Sequence, residues 1–164
     1  MKIIVFTLLM LISSITYAND VSLKYGVGFG EISQEGVAET KYISLGWIED
    51  LNPIVKQKFD IGAWFDSMDH FGFNRSSGFG TYSVGVRVEP AYIYAETFFG
   101  ISYITQPDCQ LGTNFEFTEE LGIGIKDDMG KWIGIEYRHF SNAGISSVNK
   151  GRDFLLINLG IPWR

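Results

Sequence analysis

After residue 18, apolar and polar positions alternate with a period of two along most of the chain. Successive side chains on a strand point to opposite faces, so this period predicts strands. Eight segments carry it. The first is near 22–29, with Leu23, Tyr25, Val27 and Phe29 on one face and Ser22, Lys24, Gly26 and Gly28 on the other. The second is near 41–48, with Ile43, Leu45 and Trp47 aligned. The third, near 55–65, sets Val55, Phe59, Ile61 and Phe65 against Lys56, Lys58, Asp60 and Trp64. The fourth, near 79–88, opposes Tyr82, Val84, Val86 and Val88 to Thr81, Ser83, Gly85 and Arg87. The fifth and sixth fall near 91–103 and 114–126, the seventh near 133–141 and the eighth near 153–161. No helical period competes over a comparable stretch.

Charge and glycine crowd one face of most segments, and apolar groups the other. That division predicts a transmembrane β-barrel of about eight strands, with the polar face lining the lumen and the apolar face in lipid. The same alternation also fits a soluble sandwich or barrel with the apolar face inside. The links favour the membrane reading. Those at 49–53, 89–90 and 127–130 are short and turn-like, whereas those near 30–40, 66–78, 104–113 and 142–152 are long. Outer-membrane barrels have short periplasmic turns and longer extracellular loops, which puts both termini in the periplasm.

The start of the chain agrees. Met1-Lys2, an apolar run from Ile3 to Ile12 and a small residue at Ala18 read as a secretory signal peptide over 1–18, leaving 19–164 as the barrel. Aromatics form 15% of the chain and there are 19 glycines, a composition that fits such a barrel. The net charge of −6 argues against a nucleic-acid partner, which calls for a basic face. Cys109 is the lone cysteine, so no intramolecular disulfide forms, and its flank reads as a loop.

Candidate chemistry lies in the last two strands. Ile133, Ile135, Tyr137, His139 and Ser141 share one face, and so do Asp153, Leu155, Ile157, Leu159 and Ile161. A nucleophile, a base and an acid thus fall on the apolar side. They also fall at the strand ends next to the long link at 142–152, which in this topology is the outer leaflet, where lipopolysaccharide resides. His139 and Ser141 stand two apart on one face, roughly 6–7 Å between Cβ atoms. Serine needs a base to become a nucleophile, and a carboxylate orients that base and stabilises its charged form. Asp153 can approach His139 from the next strand. Asn142, Gly144, Asn149 and Gly151 in the link are candidate oxyanion or substrate-binding donors. This chemistry calls for no metal and no cofactor. By itself a His-x-Ser pair is common and is also met at a solvated loop edge.

The run Tyr137-Arg138-His139-Phe140-Ser141-Asn142-Ala143-Gly144-Ile145, followed by Asn149-Lys150-Gly151-Arg152-Asp153, resembles the signature of the lipid A 3-O-deacylase family. The resemblance implies an eight-stranded outer-membrane barrel that hydrolyses an ester-linked acyl chain of lipid A, so lipopolysaccharide is the expected partner. The family's histidine, the serine two residues on and the acid twelve residues after the serine fall on His139, Ser141 and Asp153. Its asparagine after the serine falls on Asn142, and its Asn-x-Gly on Asn149-Lys150-Gly151. The family's acid is glutamate; this chain has the shorter Asp153.

Other signals are weaker. Gly26-x-Gly28-x-Gly30 lacks the following helix of a nucleotide loop and reads as relief of crowding in the barrel. His70, with Asp66 and Asp69, reads as a solvated loop more readily than as a metal site. Glu116, Glu119 and Glu120 read as lumen or rim charges, forming a polar network with Lys56, Lys58, Arg87 and Lys126. Trp47, Trp64, Trp132 and Trp163 suit the interface belts of a membrane protein. Two other functions compete with the deacylase: a non-enzymatic structural or adhesive barrel, and a phospholipid esterase on the same scaffold. A homodimer is compatible with all three.

Overall fold

The computed structural model describes residues 19–29, 39–67, 75–107 and 110–163. His70, Asp69, Cys109 and Gly30 lie outside them. The strands are β1 (Asp20–Phe29), β2 (Glu39–Asp50), β3 (Val55–Ser67), β4 (Arg75–Val88), β5 (Ile93–Ile104), β6 (Phe115–Lys126), β7 (Trp132–Ser141) and β8 (Arg152–Pro162). Each pairs antiparallel with its neighbour, and β8 returns to pair with β1, closing the barrel. Each of the eight expected segments is one of these strands; most are longer by a residue or a few, while the fifth and sixth start two residues and one residue later than expected. Closure removes the free edges that an open sheet would expose.

The alternation sorts the two faces as expected. Tyr25, Val27, Phe29, Ile101, Ile123, Ile135 and Ile157 are each about half exposed or more on the outside. Such a band is stable against hydrocarbon rather than water. The inside is polar through its middle. Lys24, Lys58 and Arg138 meet Asp60, Glu120 and Glu136 there, all of them buried. Arg138 Nη2 lies 2.8 Å from Asp60, 2.9 Å from Glu120 and 3.0 Å from Glu136. Lys24 Nζ lies 3.3 Å from Asp60 and 3.0 Å from Glu136, and Lys58 pairs with Glu120. Three cations face three anions, so the cluster is neutral as a whole. Buried charges are tolerated only when paired in this way.

Toward the end that carries the long links, the lumen turns aromatic. Tyr42, Trp64, Phe79, Phe140 and Phe154 pack there with Ile104, Leu111 and Leu156. Trp64 stacks on Phe79 with centroids 5.5 Å apart. Beyond this plug, Arg152 grips Asp66 with two bonds of 2.8 Å. The short-turn end is built differently: Arg87 bonds Glu96 at 2.8 Å and lies over the rings of Tyr94 and Trp132, at 4.8 and 4.6 Å. The lumen is therefore packed through the middle and at the long-link end, whereas a polar cavity lined by Asp20, Lys56, Arg87 and Glu89 remains at the short-turn end.

Three expectations change here. Trp64 and Trp132 are buried inside the barrel, not in interface belts. Their strand parity is that of Asp60 on β3 and Glu136 on β7, so they point inward. Trp163 is exposed as expected. Glu116 and Glu120 face the lumen, but Glu119, of opposite parity, is exposed on the outer face beside His139. Lys56 and Lys126 stay out of the central network and pair with Asp50 and Glu89 at the short-turn end. The glycine reading holds: a Cβ on Gly28 would stand 2.8 Å from Phe154 and 2.9 Å from Thr40.

The short links are tight. Asn52 Oδ1 accepts from the N–H groups of Ile54 and Val55, and Asp127 Oδ1 from those of Met129 and Lys131. Asn19 and Trp163 bond to each other at this same end. At the other end the β5–β6 and β7–β8 links dock together, with Lys150 N–H donating to Gln110 O at 2.8 Å.

Candidate active site on the outer face of β7 and β8

Strands β7 and β8 pair in a register that puts His139 directly opposite Asp153. Both residues point outward. A pair directly opposite brings Cβ atoms within about 5.5 Å, a gap that an imidazole and a short carboxylate together bridge. His139 Nδ1 lies 2.7 Å from Asp153 Oδ1, and the side chains are 27% and 30% exposed. Only an Nδ1–H can donate to a carboxylate, so the contact selects that tautomer. The lone pair of Nε2 is then left for a proton from elsewhere. Asp153 Oδ1 accepts a second bond, from Tyr137 Oη at 2.5 Å.

Ser141 follows His139 on the same outward face, beyond Phe140, which points into the aromatic plug. No hydrogen bond joins Ser141 Oγ to the His139 ring in this structure. Nucleophile and base in unliganded enzymes often sit farther apart than in the reacting complex. The structure thus bonds His139 to Asp153 and sets Ser141 beside them, one step along the strand.

The link from β7 to β8 is built by Asn142. Its N–H donates to Asn149 Oδ1 at 2.9 Å, and its Nδ2 to Leu111 O at 2.5 Å and Val148 O at 2.6 Å. Its Oδ1 accepts from Gly144 N–H at 2.9 Å. Ala143 and Gly144 have φ of 51° and 82°, and Ile145 N–H closes the turn onto Asn142 O. Positive φ at both central positions is the primed turn that suits a twisted hairpin. The buried Asn142 is therefore engaged in holding the loop, as is Gly144 N–H. Asn149 is exposed, with its carbonyl oxygen committed to Asn142.

Gly151 ends the link at φ 74°, against the edge of the imidazole. A Cβ there would stand 2.6 Å from His139 Cε1 and 3.2 Å from Nε2. Two demands therefore fall on this position: a left-handed backbone, and no side chain beside the ring. Sequence reasoning missed Tyr137 as a member of the site and the outward turn of Glu119. Tyr137 was legible in principle, because it shares parity with His139 and is a short step from Asp153 across the pair.

Comparison with known proteins bears on what this arrangement does. The model of the family described as lipid A 3-O-deacylase (PagL) matches residues 41–162. Lipid A deacylase PagL of Bordetella bronchiseptica is 40% identical over 48 residues, which are 29% of this chain and 27% of that protein. Lipid A deacylase PagL of Pseudomonas aeruginosa is 22% identical over 174 residues, 98% of each chain. Among solved structures, the outer membrane enzyme PagL superposes with a TM-score of 0.62 at 22% identity, covering 88% of this chain and 99% of that one. The Yersinia pestis outer membrane protein Ail gives a TM-score of 0.50 at 10% identity, over 87% and 99%. The structural matches establish the eight-stranded outer-membrane fold, and the family match spans β2 to β8 with the whole candidate site inside it: this chain belongs to the lipid A 3-O-deacylase family.

Proposed function

We propose that this protein is an outer-membrane lipid A deacylase in which Ser141, His139 and Asp153 act as a catalytic triad. The observation that carries the reading is the His139 Nδ1–Asp153 Oδ1 contact of 2.7 Å on the outer, apolar face, one strand step from Ser141. A triad in that position meets its substrate by lateral diffusion in the membrane. With both termini in the periplasm after removal of residues 1–18, the site lies in the outer leaflet, at the depth of lipid A.

Ser141 Oγ attacks the carbonyl carbon of an acyl ester, the 3-O-linked one by the family's description. His139 Nε2 takes the serine proton as the C–O bond forms. Asp153 holds the ring and stabilises its positive charge. The tetrahedral oxyanion takes its hydrogen bonds from Gly151 N–H and the exposed amide of Asn149, while Asn142 and Gly144 keep the loop in shape. Collapse breaks the ester bond, and His139 returns its proton to the departing sugar oxygen. A water molecule, deprotonated by the same nitrogen, then releases the fatty acid from Ser141. Neither metal nor cofactor has a step in this sequence.

The test is mass spectrometry of lipid A from cells expressing the wild type or Ser141→Ala. Loss of one ester-linked acyl chain with the wild type alone is the expected result. Full deacylation by Ser141→Ala overturns the mechanism. Loss of acyl chains from phospholipid with lipid A untouched overturns the substrate.

A further inference from the structure

Tyr137 has no role in the mechanism above, yet its hydroxyl makes the 2.5 Å bond to the same oxygen of Asp153 that receives His139. Resting on the proposed triad, we infer that Tyr137 is a positioning residue, whose hydroxyl fixes the Asp153 carboxylate so that this short acid reaches His139.

The geometry supports this in three ways. Asp153 stands opposite His139 across the β7–β8 pair, so a diagonal neighbour two residues back on β7 reaches the same carboxylate from the side. The tyrosine ring is itself held: it packs 6.5 Å from the ring of Phe29, which pairs with Asp153 across β1 and β8. And the carboxylate faces the membrane. Exposed on an apolar surface, it lacks the water that would otherwise solvate its charge. A phenolic O–H donor replaces part of that solvation, and a bond to a charged acceptor is among the stronger ones.

Among the described residues, the groups facing Asp153 come from the two neighbouring strands. From β7 they are Tyr137 and His139; from β1, Phe29, which carries no charge. Glu119 of β6 lies beyond, on the far side of His139. Arg152, next in sequence, turns inward to Asp66. Tyr137 is thus the neutral donor to this carboxylate. Taking the hydroxyl away concentrates negative charge on Asp153. Among the described residues its carboxylate is then held by the imidazole alone, and it turns away from the ring more readily.

The experiment compares Tyr137→Phe with the wild type on purified lipid A in detergent, with Ser141→Ala as control. Phenylalanine keeps the ring against Phe29 and removes only the hydroxyl. We expect kcat to fall by about ten- to a hundredfold, the worth of a hydrogen bond to a charged group. KM should stay unchanged. In an Asp153→Asn background the same substitution should cost little, because the charge it serves is gone. An unchanged kcat, or a rise in KM that accounts for the loss, overturns the inference. So does an undiminished loss in the Asp153→Asn background, which marks a merely structural ring. If Ser141→Ala retains activity, the triad itself has failed. If Ser141→Ala is inactive and Tyr137→Phe is wild type, the triad stands and only this inference falls.

Discussion

The two faces of β7 solve opposite problems with adjacent residues. Inward, Glu136 and Arg138 join a buried cluster in which every charge has a partner of opposite sign. Outward, Tyr137, His139 and Ser141 stand on the apolar surface with Asp153 bonded among them and Glu119 beside His139. The inner set is redundant: Arg138 touches three carboxylates, and Lys24 and Lys58 share them. The outer set is sparse, and each group has a direction. Redundancy stabilises and orders, whereas sparse, directed polar groups in an apolar setting are available to react. The contrast separates what holds the barrel together from the groups proposed to carry its chemistry, one residue apart on the same strand.

That separation is open to attack from both sides. Ser141→Ala and His139→Ala should each lower kcat by about 10⁶, as loss of a triad's nucleophile or base does. Neither should change unfolding in detergent, read as heat-modifiable migration on gels. A variant that unfolds would mean that the outer face also carries stability. Asp153→Asn should cost about 10⁴ in rate, since the amide selects the wrong tautomer of His139. Asp153 already reaches His139 at 2.7 Å, so Asp153→Glu should bring no gain in rate, and lipid A turnover measures both variants.

From the inside, Arg138→Met leaves three carboxylates facing two lysines. Breaking a buried ionic cluster in this way costs about 3–5 kcal/mol. A urea titration should show that loss, while the folded fraction still deacylates lipid A. Unaltered stability would show that the lumen charges are dispensable. The smallest effect is expected at Gly151→Ala. The left-handed φ and the contact with His139 together cost about 1–3 kcal/mol. If that strain is relieved by displacing the ring, kcat falls by about tenfold or more at constant KM. An alanine variant with full kcat would remove Gly151 from the site.

Most of the fold was legible because a closed barrel obeys a local rule. Parity alone put Lys58, Arg87 and Glu120 inside and Ile101, Ile135 and Ile157 outside, as the structure has them. Length and turn residues told short links from long ones. Trp64 and Trp132 show the limit of residue type set above parity: tryptophan chemistry suggests a belt, while their strand positions point inward. The site was half legible. His139, Ser141 and Asp153 share a face by counting, but the contact between His139 and Asp153 needs the register of two strands joined by a long link, which no local pattern fixes.

The sequence by itself determined the strands, their faces and the residue types available for chemistry, because a period of two is written in adjacent positions. The tertiary structure alone decided which of those residues touch. Arg138 reaches Asp60 and Tyr42 across the lumen because closure brings β7 opposite β2 and β3. Asn142 is committed to Leu111 because two loops dock. Tyr137 and His139 meet on one oxygen of Asp153 because the β7–β8 register sets His139 opposite it. Each of these contacts depends on distance through space between strands far apart in the chain, which alternation along the chain does not encode.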